Sequence, residues 1–210
     1  MDSEALVVGG GRIGPGATVQ TTTSTGSSRL LGHLPSPRAD LAAIGIGGRV
    51  VVVGGGTPTH LDAAILSTSD GQTFRAIGEL AIPVRYPAVA LVGESLWVVG
   101  GTTRSGDSRV IQVFDTKTGL SRITGHLPHP LSHASAFDLG GMVIVAGGRW
   151  RGLAQREIWA IDPVSGRVTT VGRLPYSISD AASAVADGTG YLIGGEGNGP
   201  TAAIITLSVQ

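Results

Sequence analysis

The sequence predicts an all-β fold: a β-propeller of four-stranded antiparallel blades, with about 4.5 repeats in 210 residues, read as five blades of which the first and last are incomplete. Three observations carry this expectation. Double glycines recur at 9–10, 54–55, 100–101, 147–148 and 194–195, spaced by 45, 46, 47 and 47 residues. Gly-x-Leu triplets begin at Gly32, Gly78, Gly125 and Gly172, spaced by 46, 47 and 47, so two independent markers keep one period at a fixed offset. Within each period lie four short strand signals, which is the size of one propeller blade.

The fullest unit runs from Gly125 to Gly172. It opens on Gly-x-Leu-Pro, read as a turn. A first strand follows at 132–139, rich in Ala and Ser. Innermost strands of a propeller crowd together at the axis, and small side chains suit them. The same character marks 39–46, 86–92 and 181–186. The second strand, 142–146, is a short β-branched run bounded by glycine pairs, which reads as a buried strand rather than a helix. Its counterparts are 6–10, 49–55, 96–101 and 191–195. The glycine pair that ends it suits a bend where φ must be positive or a Cβ would clash. A variable loop leads to the third strand at 157–161, which ends in Asp162-Pro163-Val164-Ser165-Gly166; its counterparts are 18–23, 63–67, 110–115 and 202–209. The fourth strand is 168–171, matched by 28–31, 73–77 and 120–124. The repeats are therefore about 1–37, 38–83, 84–130, 131–177 and 178–210, in one domain.

Composition narrows the function classes. Lys+Arg and Asp+Glu are 15 each, so the net charge is zero, which removes the usual electrostatic case for nucleic acid or an anionic membrane. The 34 glycines have no collagen period, and 41% of residues are apolar, so they belong to tight turns of a packed chain. There is no cysteine, hence no disulfide and no thiolate metal site. No apolar run approaches a membrane span, and the start, MDSEALVVGG, does not read as a signal peptide.

Over essentially its whole length the chain resembles a kelch-repeat β-propeller. The residues that carry the resemblance are the double glycines after apolar runs, as in Val51-Val52-Val53-Gly54-Gly55 and Trp97-Val98-Val99-Gly100-Gly101. Phe114-Asp115-Thr116 and Ile161-Asp162-Pro163 resemble the family's aromatic-Asp-Pro turn, and Pro37-Arg38 and Val84-Arg85 stand where kelch repeats often carry Arg. The family's fourth-strand Trp is replaced by Ser28, Phe74, Ser121 and Val168, so the array is degenerate and closest to the Gly/Ala-rich bacterial form. Kelch rings usually have six or seven blades. The phase of this chain implies a first blade without its inner strand and a last without its outer one. It is therefore expected to be part of a longer protein, extracytoplasmic in that case, whose missing blade precedes Met1. A compact five-blade ring, monomeric in solution, is the alternative.

The connections after each glycine pair and before each first strand should emerge on one face, where function is expected on a rigid scaffold. Two sets of candidate ligand-binding residues lie there. One is the loop Arg149-Trp150-Arg151 with Arg104 and Arg109 of the polar loop 102–109; Trp between two Arg has the composition of an interface hot spot, and suits stacking on a sugar or clamping a carboxylate. The alternative is that Trp150 packs on a neighbouring blade and the arginines solvate the loops. The other set is Asp40, Tyr86, His133 and Asp180, each eight residues after a turn glycine, which would ring the channel mouth. These residue types can serve as acid, base or ligand contacts, or simply bond turn backbone. The Gly-rich stretch at Arg12-Ile13-Gly14-Pro15-Gly16 lacks the helix and Lys-Ser/Thr of a phosphate loop, and His126 and His129 have no third partner for a metal. No cofactor is expected.

The expected function is a non-catalytic scaffold that binds a protein or glycan through this face. The resemblance also implies an alternative: an enzyme acting on sugars, like the sialic-acid mutarotases of this class. Copper radical oxidases of the galactose oxidase type need a Tyr–Cys crosslink, which a chain without cysteine does not make. A structural or sensor ectodomain of a larger protein is the third reading.

Overall fold

The computed structural model describes residues 4–10 and 14–209, so Arg12 and Ile13 lie outside the described residues. Among the described residues there is no helix, and none long and apolar enough to cross a membrane. Five antiparallel sheets form a five-bladed β-propeller around a central channel. Blade 1 contains β1 (Glu4–Val8), β2 (Thr18–Thr23) and β3 (Ser28–His33), in that order. Blade 2 runs outward through β4 (Ala39–Ile46), β5 (Arg49–Gly56), β6 (Ala64–Thr68) and β7 (Arg75–Glu79). Blade 3 has β8 (Ala88–Val92) and β9 (Ser95–Val99), a small hairpin of β10 (Thr102–Thr103) and β11 (Gly106–Asp107), then β12 (Val110–Asp115) and β13 (Ser121–His126). Blade 4 has β14 (Ser135–Leu139), β15 (Met142–Ala146), the short β16 (Arg149–Trp150), β17 (Leu153–Ile161) and β18 (Val168–Ile178). Blade 5 has β19 (Ala182–Ala186), β20 (Thr189–Ile193) and β21 (Ile204–Leu207). As expected, among the described residues the first blade shows no inner strand and the last no outer one.

The small-residue strands β4, β8, β14 and β19 line a channel of about 550 Å3. Four apolar clusters lie between consecutive blades, each fed by alternate residues of facing sheets. Val19, Leu34, Val52 and Leu66 join blades 1 and 2; Val53, Ile65, Val98 and Phe114 join blades 2 and 3. Trp97, Val113, Val145 and Trp159 join blades 3 and 4, and Phe137, Ile144, Ile178 and Leu192 join blades 4 and 5. A buried Gln112 adds a polar link: its amide accepts from Ile82 N–H at 2.8 Å and donates to Ile82 C=O at 2.9 Å.

The Gly-x-Leu-Pro element is not the turn that the sequence suggested. Its Gly-x pair ends the outer strand, and in blade 4 the strand runs on to Ile178. Each outer strand bulges one residue before that glycine, skipping Leu31, Ile77, Thr124 and Val171 in the register with the third strand. The glycine itself lets the next blade in: a Cβ on Gly78 would lie 2.5 Å from Gly119 O, and one on Gly32 2.7 Å from Gly71 O. The Asp turns hold as expected. Asp162 Oδ1 accepts from Val164 and Ser165 N–H, and Asp115 Oδ1 from Lys117 and Thr118 N–H, which holds both carboxyls below the usual carboxylate range.

The double glycines act between blades. Gly54, Gly100 and Gly147 all have φ near +65°, and a Cβ on each would come within 2.4 Å of a carbonyl oxygen (Val84, Leu131 and Ile178) in the segment that leads into the next blade's inner strand. The second glycine donates to that same carbonyl: Gly55 to Val84, Gly101 to Leu131 and Gly148 to Ile178, at 2.8–2.9 Å.

Candidate functional site

Just before each inner strand the backbone makes one unusual step. Arg85, Ser132 and Ser179 bridge to Thr102, Arg149 and Glu196, the residues that follow the double glycines. The next residue then swings into the left-handed region: Tyr86 at φ 52°, His133 at 56° and Asp180 at 56°, with Asp40 at 60° in the matching place of blade 2. Non-glycine residues held there carry strain of about 1–3 kcal/mol each, maintained only when the surroundings over-determine them. Here the surroundings do. Tyr86 N–H donates to Asp40 C=O at 2.8 Å, His133 N–H to Tyr86 C=O at 3.2 Å and Asp180 N–H to His133 C=O at 3.0 Å. A backbone collar thus runs from blade to blade around the channel mouth.

The collar brings the four residues together as one polar cluster. The Tyr86 and His133 rings stack, with centroids 3.7 Å apart. His133 Nε2 lies 3.8 Å from Asp180 Oδ1, and its Nδ1 is 2.8 Å from Ser132 Oγ. Arg85 pairs with Asp40. Arg149 reaches Asp180 Oδ2 at 3.2 Å, pairs with Glu196 and donates to Ser179 Oγ at 2.9 Å. The paired side chains of Asp40, Arg85, His133, Arg149 and Asp180 are each between 17% and 33% exposed, open to a ligand yet held. Burial pushes the His133 imidazole below its ordinary pKa, and the nearby Asp180 carboxylate offsets this only in part. The shift favours the neutral imidazole at pH 7. Burial is the largest single effect on the Arg85 cation and works against it, but hydrogen bonding and charge attraction to Asp40, with a further contribution from Tyr86, together outweigh it and the net shift is upward. Burial, then Asp40, raises the Tyr86 phenol.

The loop residues separate. Arg149 joins the collar. Trp150 is half-buried in β16: His129 stacks on it at 4.1 Å, and the Arg151 guanidinium sits 4.8 Å from its ring centroid. The His129 ring also meets Trp159 edge-on at 4.8 Å. Arg104 is exposed beside the mouth, donating to Thr59 C=O at 2.9 Å, on a polar cleft of about 320 Å3 that Arg85 also lines. Arg109 is exposed in the loop just before β12 and is not brought into the cluster. Among the described residues no group of His, Asp and Glu converges as a metal site.

Sequence reasoning missed Arg85, Glu196, Ser132 and Ser179 as site residues. A signal was present: Thr102, Arg149 and Glu196 each follow a double glycine directly, and Arg85, Ser132 and Ser179 each precede a collar residue. The two arginines quoted for the family resemblance also part company. Arg85 faces the mouth. Arg38, one position earlier in its repeat, is buried, donating to Ala64 C=O at 2.8 Å with its Nε 3.2 Å from Asp62.

No family model matches the chain. A putative F-box/kelch-repeat protein of Arabidopsis thaliana is 28% identical over 94 residues, 44% of this chain; that stretch spans about a third (32%) of the relative. Among solved structures, that of YjhT superposes over 100% of this chain and 80% of its own, with a TM-score of 0.85 at 16% identity, a likeness of fold.

Proposed function

Starting from a kelch-type five-bladed β-propeller, we propose that the channel mouth binds a glycan without transforming it. The observation that carries this is the collar itself: strained backbone holds the Asp40, Tyr86, His133 and Asp180 side chains partly exposed around one opening, with the Arg85 and Arg149 guanidinium groups paired to the carboxylates. Sugar hydroxyls both donate and accept. A preorganised set of acceptors (Asp40, Asp180, Glu196) interleaved with donors (Arg85, Arg149) answers both needs, and the stacked Tyr86–His133 rings offer an apolar edge. A protein partner would call for a freely presented aromatic anchor. Trp150 was the candidate, and His129 and Arg151 lie against its ring.

A second reading has one observation in its favour. A neutral His133 near Asp180 is a base at neutral pH, so the same mouth has the groups to move a proton on a bound sugar. This is the mutarotase-like alternative.

Thermal-shift screening against a panel of neutral and acidic monosaccharides, followed by calorimetry, tests both. Removing one charge-assisted hydrogen bond is worth about 1.5–3 kcal/mol, roughly ten- to a hundredfold in affinity. Arg149→Met and Asp180→Asn should each show that loss, while Arg109→Ala leaves binding unchanged. If no sugar binds, or binding ignores both changes, the glycan reading fails. If anomer exchange measured by NMR accelerates and the acceleration vanishes in His133→Gln, the enzyme reading replaces it.

A further inference from the structure

We propose that the cleft between Tyr176 and residues 196–201 is a second sugar subsite beside the channel mouth. The ligand is then a glycan of at least two units, the second an uncharged pyranose stacked on Tyr176. This rests on the glycan reading of the mouth and names the class of ligand.

The repeat shows what is missing at this place. Tyr176, near the end of β18, stands four residues after Gly172, as His129 stands four after Gly125. Gly197 comes second after its double glycine, as Trp150 does after Gly147-Gly148. Between blades 3 and 4 these two positions meet, with His129 stacked on Trp150 at 4.1 Å. Between blades 4 and 5 the first ring is present and its partner is a glycine. The vacancy is built in: a Cβ on Gly197 would lie 2.6 Å from Ser177 O, a backbone atom. Of the nine aromatic side chains, Tyr176, at 39%, is the one exposed. Among the described residues neither its hydroxyl nor the Asn198 amide bonds to another group.

The cleft measures about 490 Å3 and is lined by Tyr176, Ser177, Asn198, Pro200, Thr201 and glycine backbone. Its loop is pinned. Ser179 and Glu196 exchange backbone hydrogen bonds at 2.7 and 2.8 Å, and Thr201 N–H donates to Gly195 C=O at 3.0 Å. The same Glu196 pairs with Arg149 in the mouth, so Ser179 and Glu196 form the wall that cleft and mouth share. Ser177 and Ser179 are at most about 7 Å apart along extended chain, one step of a sugar chain. The lining holds no carboxylate and no cation, which suits an uncharged unit. The Tyr176 ring offers a face to sugar C–H groups, and the Asn198 amide both donates to and accepts from hydroxyls. A protein hot spot sits instead in a packed, desolvated pocket, whereas this ring lies in an open cleft.

The probes are methyl glycosides of the screened monosaccharides and the matching disaccharides in which each is linked to glucose, titrated into the full chain by calorimetry. A disaccharide is expected to bind about tenfold more tightly than its monosaccharide. It should also protect amides of residues 196–201 against hydrogen exchange, which the monosaccharide should not. Tyr176→Ala should abolish the gain and leave monosaccharide affinity unchanged, while Tyr176→Phe keeps it. Both changes are at an exposed side chain, so the fold tolerates them. Disaccharides that bind no more tightly, or a gain that survives Tyr176→Ala, overturn the second subsite and leave the mouth reading standing. If no sugar of either kind binds, both fall together.

Discussion

Two glycines at the same place in their repeats separate backbone strain from contact between blades. Gly147 and Gly194 each begin a double glycine, and both have φ +66°. Placing alanine at either forces an L side chain into the left-handed region, a cost of about 1 kcal/mol. Their surroundings differ. A Cβ on Gly147 would lie 2.4 Å from Ile178 O, the carbonyl that also accepts the Gly148 N–H bond, whereas one on Gly194 meets nothing nearer than Thr201 O at 3.4 Å. Backbone cannot yield as a flexible side chain can, so Gly147→Ala must push the Ile178 strand away and break the hydrogen bond. Losing that buried bond adds about 1–3 kcal/mol. We therefore expect Gly147→Ala to destabilise the chain by roughly 2–4 kcal/mol and Gly194→Ala by roughly 1 kcal/mol. Equilibrium urea unfolding, followed by circular dichroism, measures both. Equal losses would refute the reasoning, because the positive φ alone would then explain the glycine.

Other predictions concern single groups. Gln112→Leu keeps the volume but leaves both the N–H and the C=O of Ile82 without their partner, so it should destabilise by about 2–5 kcal/mol, read as a lowered urea midpoint. His133 sets a pH dependence. Its folded pKa lies below the ordinary 6.5, so as pH falls the unfolded chain takes up the proton first. Its contribution is thus complete above about 6.5 and is lost progressively as pH drops toward the lower folded value; Asp180, Arg149, Asp107, Asp40 and the stacked Tyr86 face it. Melting temperatures across pH 5–7.5 should show this slope in the native chain and a shallower one in His133→Gln. Asp162 and Asp115 act in a separate, lower window: their folded pKa values lie below 3.8, so their contribution is present above that value and fades only as the pH falls beneath it. An Asp162→Ala change should therefore alter stability at neutral pH but leave the slope between pH 5 and 7.5 as it was.

Much of the architecture was legible in the sequence because it rests on local rules that repeat. Short β-branched runs, small residues in the inner strands, Asp-initiated turns and glycine pairs each report their own neighbourhood, and four to five copies make the pattern plain. The register of Asp40, Tyr86, His133 and Asp180 was legible for the same reason: one spacing, kept in four blades, puts them at one height on the axis. The sequence could not show what only packing between blades decides. The Gly-x pair reads locally as a turn, yet it ends a bulged strand because the next blade's turn must fit against it. Trp150 reads as a free anchor beside two arginines, but His129, twenty-one residues earlier in the chain, stacks on it. Arg149 reads as a candidate ligand contact in a variable loop, with solvation as the alternative, and only the structure shows that Asp180 and Glu196 of the neighbouring blade hold it over the channel mouth. Charges and rings find partners across distances that no spacing encodes, so the chain alone determined the blade, and the contact of one blade with the next determined the site.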